Sequence, residues 1–120
     1  MKARPVTPKQ GQESVWDYPR PPKVEESPKR VRVVFNGVVI ADTTEAKRVL
    51  ETSHPPSYYI PQKDINMSHF KAIPRKTLCE FKGTASYWTV EVNGRETVSA
   101  AWSYAAPLKG YEAIKDHLAF

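Results

Sequence analysis

The sequence predicts a mostly β, α+β domain, in which antiparallel hairpins are joined by one short helix after the first hairpin and a short helix near the C-terminus. Two Asn-Gly pairs, Asn36-Gly37 and Asn93-Gly94, each stand between segments rich in β-branched and aromatic residues. Asn-Gly favours the two-residue turn of a tight hairpin, because both central residues need a positive φ. The length of 120 residues suits a single domain, which we place at residues 13–120.

The N-terminal residues are predicted to form an extended arm. Residues 1–30 carry six of the eleven prolines, and proline both removes backbone donors and disfavours helix. We expect residues 1–12 to be flexible. Residues 13–30 contain Trp16 and Tyr18, whose large apolar surfaces gain free energy when they dock. This extended segment is therefore predicted to pack on the domain or on a second subunit.

The first predicted hairpin runs from Val31 to Asp42 around Asn36-Gly37. A two-residue turn at that point makes three cross-strand pairs, which are Phe35 with Val38, Val34 with Val39, and Val33 with Ile40. Both faces of the hairpin are apolar near the turn. We therefore expect this hairpin to be covered on both sides.

A short helix is predicted from Thr43 to about Thr52. Asp42 suits the N-cap position, and Glu45 follows it by three residues as in a capping box. The buried stripe of this helix would contain Ala46, Val49 and Leu50.

The segments that follow are shorter. Ser57 to Ile60 is predicted to be a short strand that ends at Pro61, and one or two helical turns are expected between Asp64 and Phe70. A last helix is predicted from about Tyr111, because three apolar residues then share one side. These residues are Tyr111, Ile114 and Leu118.

The main hairpin is predicted to run from Thr77 to Tyr104 around Asn93-Gly94. Counted from this turn, Tyr87 opposes Ala100, Ala85 opposes Trp102, and Gly83 opposes Tyr104. Because side chains alternate between faces, one face is predicted to carry Cys79, Phe81, Ala85, Tyr87, Val98, Ala100, Trp102 and Tyr104. Aromatic rings beside small residues predict an aromatic pocket on this hairpin, whereas the alternative is that the rings simply fill the core.

Charge and composition exclude several classes of protein. The net charge is +5, but residues 31–120 hold eleven Lys or Arg against nine Asp or Glu, so the folded body is nearly neutral. Nucleic-acid binders usually carry a basic stripe, so this distribution disfavours nucleic acid as a partner. No apolar run approaches the length of a membrane span, and no secretory signal follows the basic N-terminus. We therefore expect a cytoplasmic protein that uses no membrane.

Four segments together resemble the small bacterial, cyanobacterial and fungal family called domain of unknown function 427. They are Glu13-Ser-Val-Trp-Asp-Tyr-Pro-Arg-Pro-Pro22, Leu50-Glu-Thr-Ser-His-Pro-Pro-Ser-Tyr-Tyr-Ile-Pro61, Thr77-Leu-Cys-Glu-Phe-Lys-Gly83 and Ala100-Ala-Trp-Ser-Tyr104. The resemblance implies a β-tent-like fold, in which two small antiparallel sheets lean together. It also implies that a planar ligand or a four-cysteine zinc site is possible, because relatives of that fold hold one or the other.

The residues do not fit a metal site or nucleotidyl transfer. Cys79 is the only cysteine, so the zinc site of those relatives does not carry over, and we expect no metal and no cofactor. The resembling family is sometimes labelled nucleotidyltransferase-like. That chemistry needs closely spaced carboxylates around a divalent metal, and the sequence has neither an Asp-x-Asp motif nor a glycine-rich phosphate loop.

The first functional hypothesis is a metal-free domain that binds an unidentified small planar or anionic ligand. The predicted walls of its pocket are Tyr59, Tyr87, Trp102 and Tyr104, the predicted polar contacts are Glu51, His54 and Lys82, and Arg20 in the arm is a further candidate anion contact. Strict alternation turns Lys82 away from the aromatic face, so its contribution requires a bulge. The arm from Trp16 to Arg20 would act as a lid.

Two other functions stay open. Glu51 and His54 lie three residues apart and could act as acid and base in a small enzyme, or Glu51 could simply pair with a nearby cation. Cys79 could act as a nucleophile with His54 or be a buried, inert thiol. The proline-rich, aromatic arm could instead dock a protein partner or a twin subunit. Whether the protein is an enzyme, and whether it is a monomer or a homodimer, is left open by the sequence.

Overall fold

The computed structural model describes residues 15–52 and 54–120, and strands dominate this part of the chain. The predicted flexible arm, residues 1–12, lies outside these ranges, as do Glu13 and Ser14 of the predicted extended segment. A three-stranded antiparallel sheet has the order β1-β4-β5, with β1 at Lys23–Ser27, β4 at Ala46–Leu50 and β5 at Ser57–Tyr59. A separate hairpin pairs β2 (Val31–Phe35) with β3 (Val38–Thr43).

A four-stranded antiparallel sheet forms the middle of the described fold. Its order is β6-β7-β8-β9, with β6 at Phe70–Cys79, β7 at Gly83–Val92, β8 at Arg95–Ser103 and β9 at Leu118–Ala119. Ile60 and Leu118 exchange backbone hydrogen bonds of 2.8 and 2.9 Å. Because Ile60 directly follows β5, these bonds connect the three-stranded sheet to β9.

The two faces of the four-stranded sheet are covered by different elements. On one face, Val49 and Tyr59 of the three-stranded sheet pack against Ala85 and Tyr104. The other face packs against the β2–β3 hairpin and the segment that follows β5. That second cluster contains Ala41, Ile60, Ile65, Ala101 and Leu118. The four-stranded sheet is thus a central layer, and the face toward the three-stranded sheet carries the site described below.

Both predicted tight turns are confirmed. Asn36 and Gly37 have φ values of 49° and 78°, and Asn93 and Gly94 have values of 50° and 81°. Positive φ at both central residues is the signature of the type I′ turn. None of the described segments forms a helix with the length and apolarity needed to cross a membrane.

The first hairpin departs from its prediction in two respects. A bulge in β3 puts Ala41, instead of Ile40, opposite Val33, although the pairs nearer the turn are as predicted. The expectation that both faces are covered is wrong, because Val34 is 60% exposed and its cross-strand partner Val39 is also exposed. An apolar pair beside a tight turn is therefore left on the surface.

The helix predicted from Thr43 to Thr52 is wrong, because Ala46–Leu50, the middle half of this segment, is the strand β4. Val49 and Leu50 are buried as predicted, but they are buried in a sheet. The N-terminal segment supplies the neighbouring strand, and cross-strand ion pairs of 2.9 Å support the pairing. These join Lys47 to Glu26 and Arg48 to Glu25.

Asp42 caps no helix, because the strand β4 follows it, and its carboxylate has another partner. Arg30 donates two hydrogen bonds to it, at 2.9 and 2.7 Å. The turn between β3 and β4 is instead held by Thr43, whose hydroxyl accepts a 2.9 Å bond from the Glu45 backbone and donates a 2.6 Å bond to Asp64.

The other predicted helices are single 3-10 turns. The segment predicted as a C-terminal helix contains the turn Glu112–Ile114 and then β9, so Leu118 pairs with Ser103 in the sheet. The turns Gln62–Asp64 and Met67–His69 occupy the region where one or two helical turns were expected. Ile114 and Leu118 are fully buried without a helix to align them.

The main hairpin is part of a three-stranded meander. The chain reverses a second time between Cys79 and Gly83, so Thr77 and Cys79 belong to β6. Gly83 has a φ of 110°, and a Cβ there would lie 3.4 Å from the Ala106 carbonyl oxygen, so the position favours glycine. This turn positions Lys82.

The predicted register of β7 and β8 is confirmed beside the turn, where Val92 pairs with Arg95, but it is wrong by two residues beyond Val90. Tyr87 pairs with Trp102 instead of Ala100, and the predicted pairs of Ala85 with Trp102 and Gly83 with Tyr104 fail for the same reason. The cause is an irregularity in β8 around Ser99, whose φ is 57°. Because the shift is an even number of residues, Trp102 stays on the face of Tyr87.

Two residues of the predicted aromatic face lie elsewhere. Ala100 packs against the cluster of Ile40, Val90 and Val92, and Val98 is exposed. Both lie at or beside the irregularity, where strict alternation is interrupted. The remaining members pack together against the three-stranded sheet. They are Cys79, Phe81, Ala85, Tyr87, Trp102 and Tyr104.

Candidate functional site

Four aromatic side chains meet between the two sheets, and we call them the aromatic cluster: Tyr59, Tyr87, Trp102 and Tyr104. Tyr87 and Trp102 are direct cross-strand neighbours on β7 and β8. Tyr59 comes from β5, and its hydroxyl accepts a 3.1 Å hydrogen bond from the Trp102 indole Nε1. The rings of Tyr59 and Tyr104 have centroids 6.3 Å apart. The pairing of distant strands thus brings the four predicted wall residues together.

Two rings of the cluster are buried, and the other two are partly exposed. Tyr59 is 1% exposed, and Tyr104 is also buried, so these two rings belong to the core. Tyr87 and Trp102 are half-buried. The Tyr87 hydroxyl shares a 2.8 Å hydrogen bond with Thr77 on β6. These two rings, whose polar atoms are both hydrogen-bonded, form the partly exposed side of the cluster.

Lys82 lies beside the cluster, contrary to the expectation from strict alternation. The residue belongs to the turn between β6 and β7, where strand alternation does not apply. Its side chain is only 10% exposed, and its Nζ donates a 3.2 Å hydrogen bond to Glu51 Oε1. A buried ammonium group is thus held next to a carboxylate at the edge of the aromatic cluster.

The surroundings of Lys82 keep it charged. Burial lowers the pKa of Lys82, but the acidic neighbours Tyr59, Cys79 and Glu51 outweigh that effect and raise the pKa above its ordinary value. A lysine that attacks a carbonyl carbon needs a depressed pKa, so that the amine is neutral near pH 7. Lys82 is therefore suited to act as a protonated hydrogen-bond donor at neutral pH, and it is not suited to act as a nucleophile.

The buried tyrosines keep their protons. Burial raises the pKa of Tyr59 above its ordinary value, although its hydrogen bond from Trp102 acts in the opposite direction. Burial likewise raises the pKa of Tyr104, and the neighbouring Tyr59 and Cys79 raise it further. At neutral pH both hydroxyls are donors as well as acceptors.

The raised pKa values of the buried tyrosines and of Lys82 predict that the fold loses stability in alkaline solution. For Tyr59, Tyr104 and Lys82 the pKa is higher in the folded state than in the unfolded chain. Their stabilising contribution is complete below the unfolded pKa values of about 10 and is lost as the pH rises through the folded values. We expect the free energy of unfolding, measured by urea denaturation, to fall between about pH 10 and pH 12.

The tyrosine spectrum provides a control for this prediction. Absorbance of tyrosinate should appear for the exposed tyrosines first and for the buried ones only together with loss of the fold. If the free energy of unfolding is constant across this pH range, or if all six tyrosines ionise while the protein stays folded, the raised pKa values are wrong.

Glu51 and His54 are brought together, but without a short hydrogen bond. The His54 Nδ1 lies 3.7 Å from Glu51 Oε2 and 2.8 Å from the carbonyl oxygen of Thr52. Since a carbonyl oxygen can only accept, Nδ1 carries the hydrogen in that contact. Glu51 in turn accepts from Lys82. This geometry makes Glu51 a counterion of Lys82, and the second ring nitrogen of His54, Nε2, takes part in neither contact.

The N-terminal segment packs against the domain, but Arg20 is not part of the cluster. The Tyr111 hydroxyl donates a 2.8 Å hydrogen bond to the Pro22 carbonyl, and Thr52 donates one to the Tyr18 carbonyl. Tyr18 is buried, whereas Arg20 is exposed. Within residues 15–52 and 54–120, no hydrogen bond or ion pair joins Arg20 to another side chain.

Sequence reasoning missed Arg75. Its guanidinium carbon lies 4.3 Å from the centroid of the Tyr87 ring. The pairing of β6 with β7 shifts register between Ile73 and Lys76, beside Pro74, and Arg75 lies in this irregular stretch. Period-two spacing of Arg75, Thr77 and Cys79 was the signal that could have found it, because residues two apart share a face.

Two open clefts of the described structure are lined by residues outside the aromatic cluster. One of about 690 Å³ is bounded by the N-terminal segment and two turns, and its lining includes Phe81 and Tyr111, which belong to the same hydrophobic core as the cluster. Another, of about 450 Å³, includes His54 and Tyr58. Across the residues that the structure describes, no three His, Cys, Asp or Glu side chains lie close enough together to hold a metal ion.

Comparison with known families confirms the resemblance seen in the sequence. A family model described as a domain of unknown function (DUF427) matches residues 23–120. This range includes the whole aromatic cluster, together with Glu51, Arg75 and Lys82, and it begins at β1. No curated protein matches the chain.

Proposed function

The chain belongs to the DUF427 family of domains of unknown function, and we propose that it binds a small planar ligand, without a metal, on the aromatic cluster. The ligand would lie against the half-buried rings of Tyr87 and Trp102. Lys82 and the tyrosine hydroxyls would supply hydrogen bonds to an oxygen or nitrogen of the ligand. Two connected antiparallel sheets around this cluster also support a β-tent-like arrangement.

The observation that supports this proposal most is the hydrogen bond from Trp102 to Tyr59. It fixes the orientation of a half-exposed indole ring by anchoring it to a hydroxyl in the core. A rigid aromatic surface pays little conformational entropy when a ligand stacks on it. Stacking of a planar ring on an aromatic side chain contributes about 1–3 kcal/mol, and the Trp102 ring offers such a surface beside Tyr87, whose own ring is in contact with the Arg75 guanidinium.

The alternatives have less support from the geometry. An acid–base enzyme would need Glu51 and His54 to exchange a proton, but Glu51 is bonded to Lys82 and the imidazole Nδ1 faces the Thr52 carbonyl. To dock a partner, the N-terminal segment would have to leave its place on the domain, where Lys23–Ser27 forms β1 and pairs with β4. Binding of a small molecule requires no such rearrangement.

Ligand-observed saturation-transfer NMR with adenine and benzamide, both planar and neutral, tests the proposal. We expect transfer to both probes from the wild-type protein. Trp102→Ala should weaken binding by about tenfold or more, because it removes a stacking surface worth about 1–3 kcal/mol. Trp102→Phe, which keeps an aromatic ring, should retain most of the affinity.

The matched control is Trp88→Phe. Trp88 lies on the opposite face of β7, where its indole donates a 2.9 Å hydrogen bond to Ser103, so this change should leave probe binding as it is. Circular dichroism shows whether each variant keeps its fold. Equal binding by folded Trp102→Ala and wild-type protein, or no binding of either probe to the wild type, would contradict the proposal.

A further inference from the structure

We propose that Arg75 binds an anionic group of the ligand, so that the site selects planar compounds that carry a carboxylate or phosphate oxyanion. This inference rests on the proposed function, and it gives that function a ligand class. Arg75 is not among the site residues predicted from the sequence, and the pairing of β6 with β7 brings it to Tyr87.

The position of the guanidinium group suits this role. Its carbon lies 4.3 Å from the centroid of the Tyr87 ring, which is a cation–π distance. Tyr87 is one of the two half-buried rings of the cluster. A guanidinium group that stacks on a ring keeps its N–H donors free in its own plane. A ligand that stacks beside Tyr87 can therefore present an oxyanion to that fork.

Arg75 also lacks a counterion in the described part of the chain. Arg30 and Arg32 share Asp42, and Arg48 pairs with Glu25. Arg75 takes part in no ion pair among residues 15–52 and 54–120. An uncompensated arginine beside a binding surface is well suited to a carboxylate or phosphate group, which it can bind in a bidentate manner.

Lys82 does not provide the same selectivity. Its ammonium group is 3.2 Å from the Glu51 carboxylate, so the pair carries no net charge. Lys76, the neighbour of Arg75, donates a 2.8 Å hydrogen bond to Ser86. Ser86 precedes Tyr87 in β7 and therefore points to the other face of the sheet. Arg75 thus carries an uncompensated positive charge on the face of the cluster, directly beside Tyr87.

The test compares benzoate with benzamide, which have similar shape and differ in charge. In titrations followed by NMR, we expect the wild-type protein to bind benzoate about tenfold more tightly, which corresponds to about 1.4 kcal/mol. Arg75→Gln should weaken the affinity for benzoate by about that factor and change the affinity for benzamide by less than about twofold. Lys76→Gln removes the same charge one residue away, on the opposite face, and should leave both affinities unchanged.

Phenyl phosphate distinguishes the two oxyanions. If Arg75→Gln loses more affinity for phenyl phosphate than for benzoate, a phosphate-bearing ligand is supported. If it loses more affinity for benzoate, a carboxylate-bearing ligand is supported. The inference is overturned if Arg75→Gln keeps the preference for anions, or if Lys76→Gln reduces it equally. Binding of benzamide with no preference for benzoate in the wild type overturns the role of Arg75 alone, whereas absence of binding by every probe overturns the proposed function as well.

Discussion

Leu118→Ala is expected to lower the free energy of unfolding by about 3–5 kcal/mol, at the upper end of the range for large-to-small changes in a core. Leu118 is fully buried among Ile60, Ala101 and Ile65. Its backbone is bonded to Ile60 on one side and paired with Ser103 on the other. The cavity would therefore form where the two sheets connect, and rigid strands on both sides would limit its collapse.

Urea denaturation measures this loss, and Leu78→Ala provides the matched control. Leu78 is 79% exposed on the edge strand β6, so the same chemical change there should alter stability by less than about 0.5 kcal/mol. A loss of less than about 1 kcal/mol for Leu118→Ala would mean that this side chain does not join the two sheets as described.

The Glu51–Lys82 pair should respond unequally to removal of its two partners. Glu51→Gln is expected to destabilise the protein by about 2–3 kcal/mol, because it leaves the charge of a buried ammonium group uncompensated. Lys82→Met should cost less than about 1 kcal/mol, since the carboxylate left behind is more exposed and can be hydrated. The side chains are 32% and 10% exposed for Glu51 and Lys82 respectively.

The test is which of the two variants loses more free energy of unfolding. Chemical denaturation of both variants at neutral pH, under the same conditions, measures both losses. If Lys82→Met is the more destabilising change, Lys82 contributes mainly through its packing, and the description of Lys82 as a buried cation that depends on Glu51 is wrong. If both variants lose equally little free energy of unfolding, both charged groups are hydrated and neither depends on the other.

Local turn chemistry made part of the fold predictable. Asn36-Gly37 and Asn93-Gly94 fix both hairpins, because few other residue pairs tolerate positive φ at two successive positions. The shared face of Tyr87 and Trp102 follows from period-two alternation, and it survived the irregularity at Ser99 only because the shift was even. Had one residue been inserted instead of two, the same reasoning would have put the rings on opposite faces.

The predicted helix failed for a non-local reason. Ala46, Val49 and Leu50 have a spacing that fits a helix stripe, and all three are buried in β4. The strand is selected by its partner β1, about twenty residues earlier, and by the ion pairs between the two strands. A local pattern contains no information about such a partner, so it could not distinguish the two outcomes.

The four wall residues of the candidate site were predictable from the sequence, but the contacts between them were not. The chain brings Tyr59, Lys82 and Trp102 together through strands that are far apart in sequence. Arg75 was missed because the main hairpin was predicted to begin only at Thr77, although period-two spacing puts Arg75 on the face of Thr77 and Cys79. Arg20, which the sequence suggested as an anion contact, lies exposed and makes no described contact with the cluster.

The most direct test of the ligand site follows the indole N–H signals of Trp102 and Trp88 by two-dimensional NMR during a titration with benzoate. The two indoles lie on opposite faces of the same sheet, bonded to Tyr59 and Ser103 respectively. We expect a saturable shift of the Trp102 signal and little change at Trp88. A shift confined to Trp88, or no saturable shift at Trp102, would contradict binding on the aromatic cluster.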